Sequence, residues 1–344
     1  MDRLFCGIDF HKNFCTICII SFDGKFKETS NKEPETVLKY LANKKIELIT
    51  IEASTGVHDF VSKLKSSGHK VKIINPSRFR SVGVGGKKTD KKDAELLAEF
   101  AKLDLTPGVH HKSLKARELK SLLVMREFTI QQRVSLSNHI RGILREFGIP
   151  INTGKDNFCS DALEAINRIE NGFLRNTLID LFSKFKELLV MEKEIDEKLK
   201  NMGDIEEKNR YKTIPGVGDV VSLTFMATVD DVSRFKNSKH FASYVGLVPR
   251  EDSSGGKQRM GSITRSGPEM LRRNLIHGAR SILKHPLKNT EKDPTILWAQ
   301  HLKSRIGMNK ATVALAHRMA RILFVIALNK TSYGEYPVKI NKAA

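Results

Sequence analysis

With 344 residues, 40% of them hydrophobic, the chain is long enough for about two or three domains with cores of their own. It carries 59 Lys and Arg against 39 Asp and Glu, a net charge of +20, which points to a polyanionic partner and above all to nucleic acid. No strongly basic amphipathic helix with a Trp or Phe face argues for a membrane surface, and no run of ~18 apolar residues suggests a transmembrane span.

The start, Met1-Asp2-Arg3-Leu4, shows no signal peptide, so a cytoplasmic, nucleoid-associated protein is expected. Residues 4–9 and 14–20 are short β-branched or aromatic runs, and Asp23-Gly24 supplies a hairpin turn before a third strand. Cys15 and Cys18 have CxxC spacing, but positions three apart on a strand face opposite sides and no second pair follows, so reduced thiols are expected rather than zinc. Pro34–Leu41 reads as a helix, Glu47–Ile51 as a strand, Val57–Leu64 as a helix and Val71–Ile74 as a strand stopped by Asn75-Pro76. Asp90–Leu103 is helical, with Ala94, Leu97, Ala98 and Ala101 on one face. A hairpin followed by βαβ units predicts an α/β domain with a mixed sheet and helices packed on it.

From about Ser113 to Phe147 the periodicity predicts one long helix, stopped by Gly148-Ile149-Pro150. Residues 161–202 give a second long helical pattern, and the two together suggest an antiparallel hairpin or coiled coil serving as spacer or subunit contact. The part after Asn209 reads as mostly helical, interrupted by a Gly/Ser-rich loop at 253–262. Between Arg234 and Lys330 there are 19 Lys and Arg against 5 Asp and Glu, so most of the positive excess lies in the last third.

Four acids stand out in the first hundred residues. Asp9 and Glu52 close apolar strands, while Asp90 and Asp93 lie at i and i+3 in the first turn of a helix and share a face. Each alone reads as a turn or cap residue. Together, in a basic chain, they suit a magnesium or manganese site, because clustered carboxylates repel and imply a cation. In a two-metal arrangement such ions activate the attacking oxygen and stabilise the leaving oxygen of a phosphodiester.

Three loops carry further candidates. Gly83 to Thr89 fails the Walker pattern, since Ser81 stands where glycine is required and Lys88 where Ser or Thr is; it reads as a basic loop, with Lys87 and Lys88 free to meet nucleic acid. Ile214-Pro215-Gly216-Val217-Gly218 opens a helix, and its backbone amides either hold a phosphate or merely start a domain. In Pro249 to Lys257, Ser253 and Ser254 precede two glycines, and Lys257, Arg259, Arg265, Arg272 and Arg273 follow to hold a phosphodiester. A serine there is either a nucleophile or part of a linker. His110, His111, His240, His277, His301 and His317 show no metal-ligand spacing.

In order along the chain, Gly7-Ile8-Asp9, Ile51-Glu52-Ala53-Ser54-Thr55-Gly56, Lys88-Thr89-Asp90-Lys91-Lys92-Asp93-Ala94, Ile214–Gly218, Tyr244–Pro249, Ser253–Lys257 and Gly261–Gly267 resemble the motifs of the Piv/MooV-type DEDD transposases of insertion sequences. That group includes bridge-RNA-guided recombinases. The resemblance implies a RuvC-like, RNase H-type domain over 1–106, a helical coiled-coil linker over 107–204, a mostly α C-terminal transposase domain over 205–332 and a tail over 333–344. It implies that Asp9, Glu52, Asp90 and Asp93 bind Mg2+ (or Mn2+), with Ser254 as nucleophile and Ser253 as the alternative. Arg265 stands where family members often have Lys, which keeps the charge. The implied partners are the DNA of the element ends and target, a guide (bridge) RNA, and further copies of the chain in a dimer or tetramer. Two rival readings are a junction-resolving nuclease using water as nucleophile, and a non-catalytic nucleic-acid-binding protein.

Overall fold

The first two apolar runs form β1 (Leu4–Phe10) and β2 (Cys15–Ser21), and the polar segment after the Asp23-Gly24 turn forms β3 (Lys27–Lys32). The computed structural model describes residues 3–75, 89–104, 108–252, 259–285 and 293–335. The chain divides into two units, Met1–Lys112 and Ser113–Ala344.

In the first unit, β3 is followed by α1 (Pro34–Ala42), β4 (Ile46–Glu52), α2 (Val57–Ser66), β5 (Val71–Ile74) and α3 (Asp90–Leu103). The strands form one sheet in the order β3-β2-β1-β4-β5. The β1–β2 and β2–β3 pairs are antiparallel, and the β1–β4 and β4–β5 pairs are parallel. The expected mixed sheet is therefore present. Both faces are covered, which is why β1 and β2 read as continuous apolar runs rather than alternating ones. Cys6, Ile8, Ile17, Ile19, Ile49 and Ile51 pack on one face with Val37 and Leu41 of α1 and Phe60, Val61 and Leu64 of α2. Phe5, Cys18 and Ile20 pack on the other with Ala94, Ala98 and Ala101 of α3. Cys15 and Cys18 are free and belong to opposite faces, as strand parity requires.

Gly7 sets how close α3 comes to the sheet. A Cβ at this position would lie 2.1 Å from the Ala94 carbonyl oxygen and 2.3 Å from the Ala98 amide nitrogen. The helix backbone thus rests on the strand backbone, and the Thr50 hydroxyl of β4 donates to the Leu97 carbonyl of α3.

Among its described residues, the second unit is helical apart from one small hairpin. Its first elements are α4 (Leu114–Glu146), α5 (Lys155–Asn167) and α6 (Gly172–Lys200). The single pattern expected over 161–202 is two helices instead. The chain turns between them at Arg168–Asn171, and Asn171 caps α6 by accepting from the Leu174 amide at 2.9 Å. Helices α4 and α6 run antiparallel, tied by Arg126 to Asp196 at 2.5 Å and by Arg133 to Glu192 at 2.7 Å. The latter pair is largely shielded from solvent, with side-chain exposures of 11% and 13%.

Beyond them come α7 (Ile205–Lys212), α8 (Asp219–Val229), α9 (Ser238–Val245), β6 (Pro249–Glu251), β7 (Met260–Ile263), α10 (Glu269–Lys284), α11 (Pro294–Ile306) and α12 (Met308–Asn329). By length and composition alone α12 could cross a membrane. Its apolar length has another use here: Ala311, Leu315, Ala316, Met319, Ala320 and Leu323 are buried in the core, with Leu271, Leu275 and Ala279 of α10 and Phe241 of α9 in the same cluster.

Gly7→Ala tests the packing of α3. Backbone atoms cannot swing aside as a flexible side chain would, so the helix must shift, at a cost of roughly 1–3 kcal/mol. Urea denaturation of the variant is expected to show an unfolding free energy lower by that amount, and so a lower midpoint; an unchanged midpoint would refute the close approach.

Candidate active site

The parallel pairing of β1 with β4 puts Ile8 opposite Ile51, so Asp9 and Glu52 are the next residues along two adjacent strands. By strand parity both belong to the face that carries Gly7 and Thr50, the face covered by α3. Asp90 and Asp93 occupy the first turn of α3, whose N-cap, Thr89, accepts from the Lys92 amide at 3.4 Å. Acids near a helix N-terminus are favoured by the dipole, which explains a stable helix start carrying two of them. The approach at Gly7 thereby brings the helix start to the strand ends.

One side chain that sequence reasoning passed over joins this group. His11 Nε2 lies 3.2 Å from Asp9 Oδ2 and 3.9 Å from Asp90 Oδ2. Oxygen and nitrogen donors of Asp9, His11 and Asp90 all lie within 4.8 Å of one another. The ring is stacked on Phe14, with centroids 4.6 Å apart and planes 26° apart, and the His11 amide donates to the Phe14 carbonyl at 2.9 Å. The signal was available, because His11 stands two residues after Asp9 and so shares its parity.

Asp9 is buried, at 8% exposure. Burial pushes its carboxyl above the usual carboxylate range, and the charges of Asp90 and Asp93 push the same way. His11 opposes them by charge and by hydrogen bonding. A buried carboxylate crowded by two more is the electrostatic state that a divalent cation relieves, and oxygen donors of this kind fit magnesium or manganese. The donor chemistry of Asp9 and Asp90 therefore fits such an ion; Glu52, at the adjoining strand end, and Asp93, in the first turn of α3, are not part of the group of donors within 4.8 Å.

The serines of the second unit, Ser253 and Ser254, lie outside the described residues, as do Lys257 and the basic pair Lys87 and Lys88. What is described is the base of the hairpin that carries them. Strands β6 and β7 pair antiparallel, Pro249 with Ile263 and Glu251 with Met260, so the expected loop at 253–262 is a strand from Met260 onward. Below the strands the chain crosses itself closely. A Cβ on Gly267 would lie 1.9 Å from the Tyr244 carbonyl oxygen, and one on Gly246 would lie 2.2 Å from the Ser266 carbonyl oxygen. Both glycines have positive φ, +76° and +75°.

Arg272, expected to face a phosphodiester, is buried instead. Its Nη1 donates to the carbonyls of Val245 at 3.1 Å and Ser266 at 2.9 Å, so its guanidinium fastens this crossing. Arg273 is engaged with Glu127 and lies 3.7 Å from Glu269. Arg259 and Arg265 are exposed beside the hairpin. Gly216 has φ +83° and packs on α10, where a Cβ would meet the Gly278 carbonyl oxygen at 2.9 Å. Gly218 is the N-cap of α8, but the first turn already holds Asp219, paired with Lys212 at 2.9 Å. Its negative charge opposes a phosphate there.

Residues 6–149 match the profile of a DEDD-type family described as transposase, and residues 208–293 match that of the transposase IS116/IS110/IS902 family. The chain is 30% identical over 336 residues to the transposase for insertion sequence element IS1111A of Coxiella burnetii, covering 96% of this chain and 92% of that one. It is 32% identical to a probable family 20 transposase of Pseudomonas aeruginosa, over 83% of this chain and 85% of the relative. It is also similar to the pilin gene-inverting protein of Moraxella bovis, at 26% identity over 80% and 82% of the two chains.

The crowding at Asp9 has a measurable consequence. A carboxyl whose folded pKa lies above its unfolded value favours the fold only while protonated, so this contribution is lost as pH rises above about 4, the unfolded value. Asp9→Asn is expected to raise the melting temperature of the chelator-treated protein at neutral pH. Divalent ion at a hundredfold excess over its Kd adds about 2.7 kcal/mol to the wild type, and the variant loses most of that gain. Calorimetry with and without Mg2+ checks both signs; a variant less stable in chelator would contradict the electrostatic account.

Proposed function

Because the chain belongs to the IS116/IS110/IS902 family of DEDD transposases, and is an enzyme that cleaves and rejoins DNA, we propose that it excises and inserts its own insertion sequence by serine attack assisted by a divalent ion. The observation that carries this reading is the convergence of Asp9 and Asp90, with Glu52 at the adjoining strand end and Asp93 in the same helical turn. The sheet order β3-β2-β1-β4-β5 supports the RuvC-like, RNase H-type assignment of the first unit. The antiparallel α4–α6 pair supports a coiled-coil linker.

Asp9, Glu52, Asp90 and Asp93 would hold Mg2+ (or Mn2+), which when bound would supply positive charge to a phosphodiester. The Ser254 hydroxyl attacks phosphorus. The P–O bond to one deoxyribose breaks, that oxygen takes up the proton, and a phosphoserine forms. A hydroxyl of the recipient strand then attacks the phosphoserine and restores Ser254, so the number of phosphodiester bonds is conserved. Ser253 is the alternative nucleophile. Arg259 and Lys257 hold backbone phosphates, which positions DNA without specifying sequence. The same reading assigns target choice to pairing with a guide RNA, and the working form to an oligomer of this chain. Relatives named for gene inversion favour rejoining over hydrolysis.

Covalent trapping on labelled DNA tests the mechanism. Ser254→Ala is expected to abolish the protein–DNA adduct and lower strand transfer by roughly three orders of magnitude or more. Should Ser254→Ala and Ser253→Ala both cleave normally while Asp9→Ala and Glu52→Ala do not, water is the nucleophile and the chain is a nuclease. Full activity in Asp9→Ala would remove the metal from the mechanism.

A further inference from the structure

We propose that His11 is a direct ligand of the divalent ion at Asp9 and Asp90, and that its nitrogen biases the site toward manganese over magnesium. This rests on the metal reading given above and adds a donor outside the four acids.

Geometry is the first argument. Metal–donor bonds of about 2.1 Å place neighbouring donors of an octahedral ion ~3.0 Å apart and opposite donors ~4.2 Å apart. His11 Nε2 lies 3.2 Å from one Asp9 oxygen and 3.9 Å from one Asp90 oxygen. Both spacings fall between those limits, and the Asp9 and Asp90 oxygens lie within 4.8 Å of each other, so side-chain adjustments of well under about 1 Å bring the three atoms to octahedral spacings.

Pre-orientation is the second. His11 sits in the turn between β1 and β2, where its amide donates to Phe14 and its ring lies flat on the Phe14 ring. Stacking fixes the ring plane and costs nothing in access, because the His11 side chain remains 43% exposed. An ordinary hydrogen bond to Asp9 alone would not require the ring to lie within reach of Asp90 as well.

The chemistry of the donor gives the bias. Mg2+ is hard, prefers oxygen and keeps its waters, whereas first-row transition ions accept imidazole more readily. A site of carboxylates alone discriminates weakly between Mg2+ and Mn2+. Adding an imidazole nitrogen as donor strengthens Mn2+ binding without adding negative charge.

The full chain, stripped with chelator, is titrated with Mn2+ by the EPR signal of the free ion, and Mg2+ affinity is obtained by competition. The wild type is expected to bind Mn2+ more tightly and to show strong 14N coupling in pulsed EPR of bound Mn2+. His11→Gln is expected to lose that coupling and on the order of 10-fold in Mn2+ affinity, with a smaller change for Mg2+. His11→Ala gives the same loss without a replacement oxygen. Circular dichroism of both variants in chelator confirms the fold. Wild-type binding abolished by Asp9→Asn but unaffected in either His11 variant would overturn this inference alone. No Mn2+ or Mg2+ binding by the wild type would overturn the metal reading beneath it.

Discussion

Everything at the end of the first unit's sheet depends on a contact between two backbones. At Gly7 the strand offers no side chain, and α3 settles onto it through Ala94 and Ala98. A larger residue at any of these positions would lift the helix. The start of that helix, with Asp90 and Asp93, would then leave the strand ends where Asp9 and Glu52 lie. Thr50 reinforces the contact by donating its hydroxyl to the Leu97 carbonyl, a hydrogen bond from the adjacent strand to the same helix. Close packing, not charge, therefore assembles the acids, and charge opposes the assembly.

That opposition is informative about function. Folding free energy brings a buried carboxyl beside like charges in a protein whose net charge is +20. Basic side chains are abundant, yet among the described residues the ion-pair partner of both Asp9 and Asp90 is His11. A structural ion pair with Lys or Arg would have neutralised Asp9 at little cost. A carboxyl left so crowded is one of the perturbed groups that cluster at functional sites, and this supports the proposal of a cation there.

Much of this was legible in the sequence, for identifiable reasons. Strand ends at Asp9 and Glu52 and a capped helix start at Asp90 follow from short-range rules, and the mixed sheet follows from hairpin-then-βαβ order. Other features depend on distant partners. The break between α5 and α6 was missed because apolar spacing continues through Ile166 and Ile169, while the cap at Asn171 is a local signal that periodicity outweighed. Arg272 looked like one more phosphate-binding cation in a basic run. Nothing near it in sequence reveals that two segments cross at Gly246 and Gly267 and leave carbonyls to be satisfied. The spacing of His11 to the other histidines carries no signal; its parity with Asp9 does.

The shielded pair between α4 and α6 carries an evolutionary consequence. Arg133 and Glu192 are each nearly enclosed, so replacing either one strands a bare charge in a poorly hydrated seam, typically at a cost of about 3–5 kcal/mol. Replacing both with apolar residues costs far less. Drift at these two positions must therefore move in tandem, and a lineage that has acquired the pair is held to it by the instability of every intermediate one step away.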